Sequence, residues 1–290
     1  MTSRDRTQRF LFEEADIRGE IVQLDHSFRE ITDVHQYAPG VNKLLGEFLA
    51  AAVLLATTLK FEGKLVLQAR SEGQIPLLMT ECDSELNLRA IARGAQEATS
   101  EDFGQLLAGG QLAITIDPSS GQRYQGIVPL VEDSLAHSLD AYFRQSEQLG
   151  TRFWLACDGE QAAGMLLQQL PAQLVEDGEQ RSNQWEHVST LASTVKPEEL
   201  LVVSAPELAH RLYHEDPLRL FEPVPARFKC NCSRERTLNA LSSLPREEIH
   251  ELLAELGSIT MDCEFCNQQY RFAEQDLGDI LQIDGQGTLH

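Results

Sequence analysis

The sequence is poor in positive charge. It has 24 Lys and Arg against 45 Asp and Glu, a formal net charge of −21 with pI about 4.7. No basic region hides in that average: 1–170, 171–229 and 230–290 are each net acidic, the last with four cations against eleven acids. Phosphate affinity comes mainly from Lys and Arg, so the balance argues against a general nucleic-acid binder and against docking on anionic lipid. Long apolar runs are also missing. The longest, 48–56, has nine residues, whereas a bilayer span needs about 20. The opening MTSRDRTQRF has no apolar core of a signal peptide, so the expected location is the cytoplasm. The chain lacks G-x-x-x-x-G-K-[ST]. Gly121 and Gly126 have the glycine spacing, but Ile127 stands where the lysine belongs. G-x-S-x-G and H-E-x-x-H are absent too, and no nucleophile is paired with a base. The expectation is therefore no P-loop site for ATP or GTP and no catalytic residue nominated by these motifs. Cysteine is scarce, with six in 290 residues. In a reducing cytosol these are thiols, metal ligands or redox centres rather than permanent disulfides.

What is present reads as an α+β chain in three parts. Residues 41–60 are apolar on most faces, the pattern of a buried helix. Short apolar or alternating runs at 64–69, 75–81, 86–92, 111–116, 122–130, 152–157 and 164–170 predict strands, with a helix at 135–146 among them. Together 1–170 read as a mixed-sheet core domain with helices. The polar, acidic stretch 171–183 marks a boundary, and 171–229 reads as a helical, marginally stable linker. A helix start stands at Lys196–Glu199, and Ser204, Pro206 and Glu207 predict a capping box for a helix ending at Tyr213. Helices this short are marginal alone.

Four of the six cysteines fall in 230–290, as Cys230-x-Cys232 and Cys263-x-x-Cys266. Two such pairs supply four thiolates, a closed tetrahedral set that marks a structural rather than a catalytic zinc. Spacing alone leaves an iron–sulfur cluster as the lesser alternative. Between the pairs, Ser233 caps an expected helix with Leu238, Leu241 and Leu244. Pro245 opens another with Ile249, Leu252, Leu253 and Leu256, stopped by Gly257. Runs 259–263 and 268–272 form an expected hairpin around the second pair. A unit of this size often needs a metal to stay folded, here one zinc per chain. Thiolates reached by oxidant are converted to sulfenic acid and condense with a neighbouring thiol, so a redox role stands beside a purely structural one. Cys82 and Cys157 read as core, and His187, His210, His214 and His250 are not needed as ligands.

The strings FKCNCSRER (228–236) and MDCEFCNQQYRF (261–272) resemble those of the redox-regulated bacterial chaperones of the 33-kDa heat-shock class. The likeness extends to RFLFE (9–13), LKFEGKL (59–65), GQRYQGIVPL (121–130), YFRQSEQLGTRFWL (142–155), AAGMLLQQLP (162–171) and RLYHED (211–216). The resemblance implies a core domain, a helical linker and a C-terminal zinc domain. It also implies an ATP-independent holdase that binds thermally unfolding and oxidatively damaged clients and prevents their aggregation under oxidative stress. The reduced, zinc-bound form would be inactive. Oxidation would join Cys230 to Cys232 and Cys263 to Cys266, release zinc, and give an active homodimer. Loss of zinc is then expected to unfold 230–290 and uncover Leu200, Leu201, Val202, Val203, Leu208 and Leu212 as client-binding positions. Two other readings remain beside it. One is a structural-zinc adaptor or nucleic-acid-binding module without switching. The other is a thiol–disulfide oxidoreductase using Cys263 and Cys266. The expected strand after Cys266 does not suit an activated thiolate at a helix N-terminus.

Overall fold

The computed structural model describes residues 4–58, 62–131, 133–146 and 149–278. The end of the expected 41–60 helix and residues 279–290 of the expected zinc domain lie outside these. The chain divides into two compact units, 1–229 and 230–290.

In the first unit β1 (Arg6–Phe12) and β2 (Ile17–Leu24) form a hairpin, followed by α1 (His26–Thr32) and the long α2 (Pro39–Thr58). Strands β3 (Gly63–Arg70), β4 (Leu77–Asp83) and β5 (Asn87–Arg93) form a meander. The one-turn α3 (Phe103–Leu106) leads to β6 (Gln111–Pro118) and β7 (Tyr124–Pro129). Next come α4 (Leu135–Ser146), β8 (Thr151–Cys157) and β9 (Ala162–Gln169). Helices α5 (Gly178–Ala192), α6 (Pro197–Val202) and α7 (Ala205–Tyr213) follow, then β10 (Leu218–Leu220), β11 (Val224–Pro225) and β12 (Arg227–Phe228).

Two six-stranded sheets result. The first runs β10-β1-β2-β9-β8, with β11 also on β1; the second runs β12-β5-β4-β3-β6-β7. All ladders are antiparallel except β12 on β5. Helix α2 touches strands of both sheets. Its length and composition would suit a bilayer span, but Leu45, Phe48, Leu49, Val53 and Leu54 are fully buried in protein. The interior it fills is one large apolar core. Cys82 is buried in that core, and Cys157 packs against it.

A second core lies on the first sheet and is closed by α5–α7. Phe10, Phe12, Ile21, Met165 and Leu167 meet Val188, Leu200, Leu201, Leu208 and Tyr213 there. Residues 171–229 thus differ from the expected linker. Their short helices do lean on a partner, which is this sheet, and β10–β12 extend both sheets. Contacts place the whole segment within the first unit. Helix α5 begins inside the stretch read as a boundary, started by Asp177, which accepts from the Glu179 N–H. Ser204 holds the N-cap position of α7 without a side-chain bond, so the expected capping box is absent. At α6 only the returning half of such a box is present: the Glu199 carboxylate accepts from the Lys196 N–H at 3.2 Å, while the Lys196 side chain makes no cap bond.

The second unit contains α8 (Arg234–Leu241), α9 (Arg246–Leu256) and the hairpin β13 (Ile259–Asp262) and β14 (Gln269–Phe272), then a 3₁₀ turn at Glu274–Asp276. Its core is small: Leu241, Ile249, Ile259, Phe272 and Leu277 are buried, with Leu238, Leu252 and Leu253 packed against them. The expected core positions Leu244 and Leu256 are exposed instead, at the ends of their helical segments. Gly257 ends α9 in the left-handed region at φ 70°, its N–H donating to the Leu253 carbonyl. Nothing lies near its missing Cβ, so Gly257→Ala introduces backbone strain alone. The expected loss is about 1 kcal/mol, read as a lower melting temperature of the protein.

Candidate metal centre

Each cysteine pair is held by its own turn. Ser233, directly after Cys232, accepts from the Arg236 N–H at 3.2 Å and starts α8. The Arg236 guanidinium reaches back to the Asn231 carbonyl at 2.8 Å, fastening the C-x-C loop. The second pair occupies the tip of the β13–β14 hairpin. There the N–H groups of Cys266 and Asn267 donate to the Cys263 carbonyl at 3.2 and 2.7 Å, and Cys263 N–H donates to the Gln268 carbonyl at 2.9 Å. Asn267 completes the turn at φ 54°, a region asparagine tolerates better than most residues.

The two turns bring four sulfurs together, all within 4.8 Å of one another. Cys230 and Cys263 Sγ are 3.6 Å apart, and Cys232 and Cys266 Sγ 3.5 Å. Four sulfurs at about 2.3 Å from a tetrahedral ion lie about 3.8 Å from one another, so the spacing fits an ion at their centre. Backbone N–H groups of Phe265 and Gln268 point at Cys263 and Cys266. The Tyr270 hydroxyl donates to Cys232 Sγ at 3.1 Å. Burial raises the Cys232 thiol, but the Tyr270 bond and its neighbouring thiols bring it below the ordinary value. Burial pushes Cys263 and Cys266 up; the Cys230 sulfur adds to the rise at Cys263, where Cys266 opposes it, and the other three sulfurs add to the rise at Cys266. Tyr270 is pushed up to about 12 by its bond to Cys232 and stays protonated. Four crowded thiols resist joint ionisation, and a dication relieves that resistance. The four residues expected as ligands therefore form a site able to coordinate a metal, and they are the only such cluster among the described residues. His187 instead faces Asp216, His210 stacks near His214, and His250 is exposed on α9. Burial raises Cys157 to about 12 and Cys82 further, so both are poor nucleophiles.

The positions expected to bind clients are found in the second core. Leu200, Leu201, Val203 and Leu208 are buried there and Leu212 packs against it, whereas Val202 is 54% exposed. Two polar fasteners hold this cover, and neither has a sequence signature. The buried Gln23 amide on β2 donates to the carbonyls of Leu200 at 3.0 Å and Val203 at 2.8 Å, at the end of α6. The Asp16 carboxylate accepts from the N–H groups of Gln173, Leu174 and Val175 at 3.0–3.2 Å and from Arg181 at 2.7 Å. Burial works to raise Asp16, but these donors overcome it and hold the carboxyl below the usual range.

A cleft of about 210 Å³ opens where α6 meets β8, lined by Glu47, His137, Trp154, Val195, Lys196 and Leu200. Burial pushes Glu47 up to about 7. Below the ordinary glutamate value both folded and unfolded chains are protonated there. Between that value and about 7 the native chain holds the extra proton, so Glu47's contribution to stability falls as pH rises. Glu47→Gln should therefore stabilise the chain by about 2 kcal/mol at pH 8, allowing for partial solvation, and by little at pH 4. Denaturant midpoints at the two pH values check this.

The family described as "Hsp33 protein" matches residues 5–273. A 33 kDa chaperonin of Pseudomonas savastanoi pv. phaseolicola is 53% identical over 284 residues, 97% of this chain and 95% of that protein. One from Azotobacter vinelandii is 52% identical over 291 residues, 99% and 98% of the two chains. The crystal structure of the Thermotoga maritima 33 kDa chaperonin superposes with a TM-score of 0.82 at 22% identity, covering 96% of this chain and 98% of that one. At that identity the superposition speaks for the fold.

Proposed function

Because the chain belongs to the Hsp33 family, we propose that its four-cysteine centre holds one zinc ion when reduced and that its oxidation uncovers the second core for clients. The protein is a redox-regulated, ATP-independent holdase and not an enzyme. The observation that carries the switch is the closed set of four sulfurs in a unit whose core has five buried apolar side chains among the described residues. When bound, zinc supplies cross-linking, about 10–16 kcal/mol of apparent binding energy that is also folding energy.

Peroxide serves as the oxidant. A thiolate of one pair attacks it, the O–O bond breaks, and the sulfur becomes a sulfenic acid as hydroxide leaves. The second thiolate of the pair displaces a further hydroxide and the S–S bond forms. Two sulfurs have lost two electrons, and both hydroxides are protonated to water. The pairing proposed is the one the family resemblance implies, Cys230 with Cys232 and Cys263 with Cys266. A disulfide needs its sulfurs about 2.05 Å apart, so the joined sulfurs can no longer stand at the corners of a tetrahedral site.

Residues 230–290 then unfold, and we take 171–229 to lose its seat on the first sheet in consequence; the two units are joined directly at Lys229–Cys230. Lifting α5–α7 exposes Leu200, Leu201, Val203, Leu208 and Leu212 along with Phe10, Phe12, Ile21, Met165 and Leu167 beneath. A contiguous apolar face of this kind binds unfolding polypeptide. A second uncovered copy is the other available partner, which gives the active homodimer. The net charge of −21 keeps the opened form soluble and argues against nucleic acid and membrane as partners. The proposed location is the cytoplasm, where thiols stay reduced until stress. Zinc content and thiol mapping by mass spectrometry, before and after peroxide, test this. One zinc lost as two local disulfides form is expected; four oxidised cysteines with zinc retained would refute it.

A further inference from the structure

Three of the four sulfurs accept hydrogen bonds from identified donors, and the donors differ in kind. Cys263 and Cys266 are served by backbone N–H groups of Phe265 and Gln268. Cys232 is served by a side chain from outside both cysteine motifs, the Tyr270 hydroxyl at 3.1 Å. Tyr270 sits on β14 opposite Met261, with its ring against the small apolar core. Its hydroxyl thus reaches from the hairpin that carries one cysteine pair to a sulfur of the other. Nearby, Arg234 braces the same strand, stacking over Phe272 at 4.5 Å and donating to the Arg271 carbonyl at 2.7 Å.

A hydrogen bond to a thiolate draws on the lone pair that would attack an oxidant. Groups around a metal site also orient the ligands they touch and adjust their reactivity. We propose that Tyr270 is a positioning residue of the redox switch: its hydroxyl restrains the Cys232 sulfur and sets how fast the Cys230–Cys232 pair is oxidised by peroxide. The inference rests on the zinc-centre reading above. The step it governs is the one already balanced, attack on peroxide followed by closure of the disulfide.

The test uses the full-length, reduced, zinc-loaded protein and its Tyr270→Phe variant, which keeps the ring and removes one oxygen. Each is treated with hydrogen peroxide, quenched at intervals with an alkylating agent, and read by peptide mass spectrometry for each cysteine separately. Loss of free Cys232 thiol should be about three- to tenfold faster in Tyr270→Phe, with Cys263 and Cys266 changed much less. A general loosening of the unit would speed all four alike, so the ratio separates reactivity from structure. A second variant carries 3-fluorotyrosine at 270. Its more acidic hydroxyl donates more strongly and should slow Cys232 below the natural protein; it reads the proposal even where the phenylalanine variant fails to load zinc. Unchanged Cys232 kinetics in both variants, or an acceleration shared equally by Cys263 and Cys266, overturns the proposal. Absence of zinc from the natural protein, or its retention after complete oxidation, would instead refute the zinc-centre reading.

Discussion

A chain carrying Cys263→Ser together with Cys266→Ser is expected to purify without zinc, to lose the fold of 230–290, and to show the same holdase level before and after peroxide. Two of the four sulfurs that lie within 4.8 Å of one another are gone, and the remaining pair cannot close a tetrahedral set. The core of five buried side chains among the described residues is too small to replace the roughly 10–16 kcal/mol that a bound zinc would contribute. The expected change is therefore all-or-none: zinc by atomic absorption falls from one per chain to none, and amide protection is lost across α8, α9 and the hairpin. A variant that still switched with peroxide would place the sensor elsewhere, and Cys82 and Cys157, whose thiols burial keeps protonated, would have to be reconsidered.

The second large effect is expected at Asp16. Its carboxylate takes three backbone N–H groups from 173–175 and the Arg181 guanidinium, in a setting where both side chains are nearly covered, 5% and 16% exposed. Asp16→Ala leaves those donors unpaired and Arg181 with only the Leu170 carbonyl at 2.7 Å. Breaking such a buried pair costs about 3–5 kcal/mol, and that loss falls on the chain leading into α5. The variant should keep its zinc, show fast hydrogen exchange through 171–213, and suppress client aggregation partly without oxidant. A fully protected, fully inactive reduced variant would show that this anchor does not hold the cover. The pH dependence has a definite sign. A carboxyl held below its unfolded value contributes its full stability above that value, near pH 4, and loses it as pH falls through the lowered native value. The difference between Asp16→Asn and the natural chain should therefore be flat from pH 5 to 8 and vanish in stronger acid.

These two sites differ in how far sequence alone reveals them. The cysteine pairs are local motifs whose chemistry follows from spacing, and the helices and hairpin between them are marked by Ser233, Pro245 and Gly257. Most strands of the second sheet were legible from alternation. β1 and β2 were not, because they carry buried polar side chains: Thr7 donates to Glu20 at 2.6 Å and Gln23 reaches across to α6. The same applies to β10–β12, whose pairing is fixed by strands some 140–220 residues away, a long-range relation no local pattern carries. Tyr270, Gln23 and Asp16 act through partners that only the fold supplies. Leu200, Leu201 and Leu208 could be identified as apolar linker positions; that they cover Phe10, Ile21 and Met165 required the structure.

The most direct measurement of the redox gate is light scattering from a thermally unfolding client enzyme, without ATP. The reduced, zinc-loaded protein and the same sample oxidised at raised temperature are compared, with released zinc followed by a chromogenic chelator. Suppression of aggregation should appear only after oxidation and in proportion to the zinc released. Equal suppression by the reduced, zinc-loaded protein would contradict the switch.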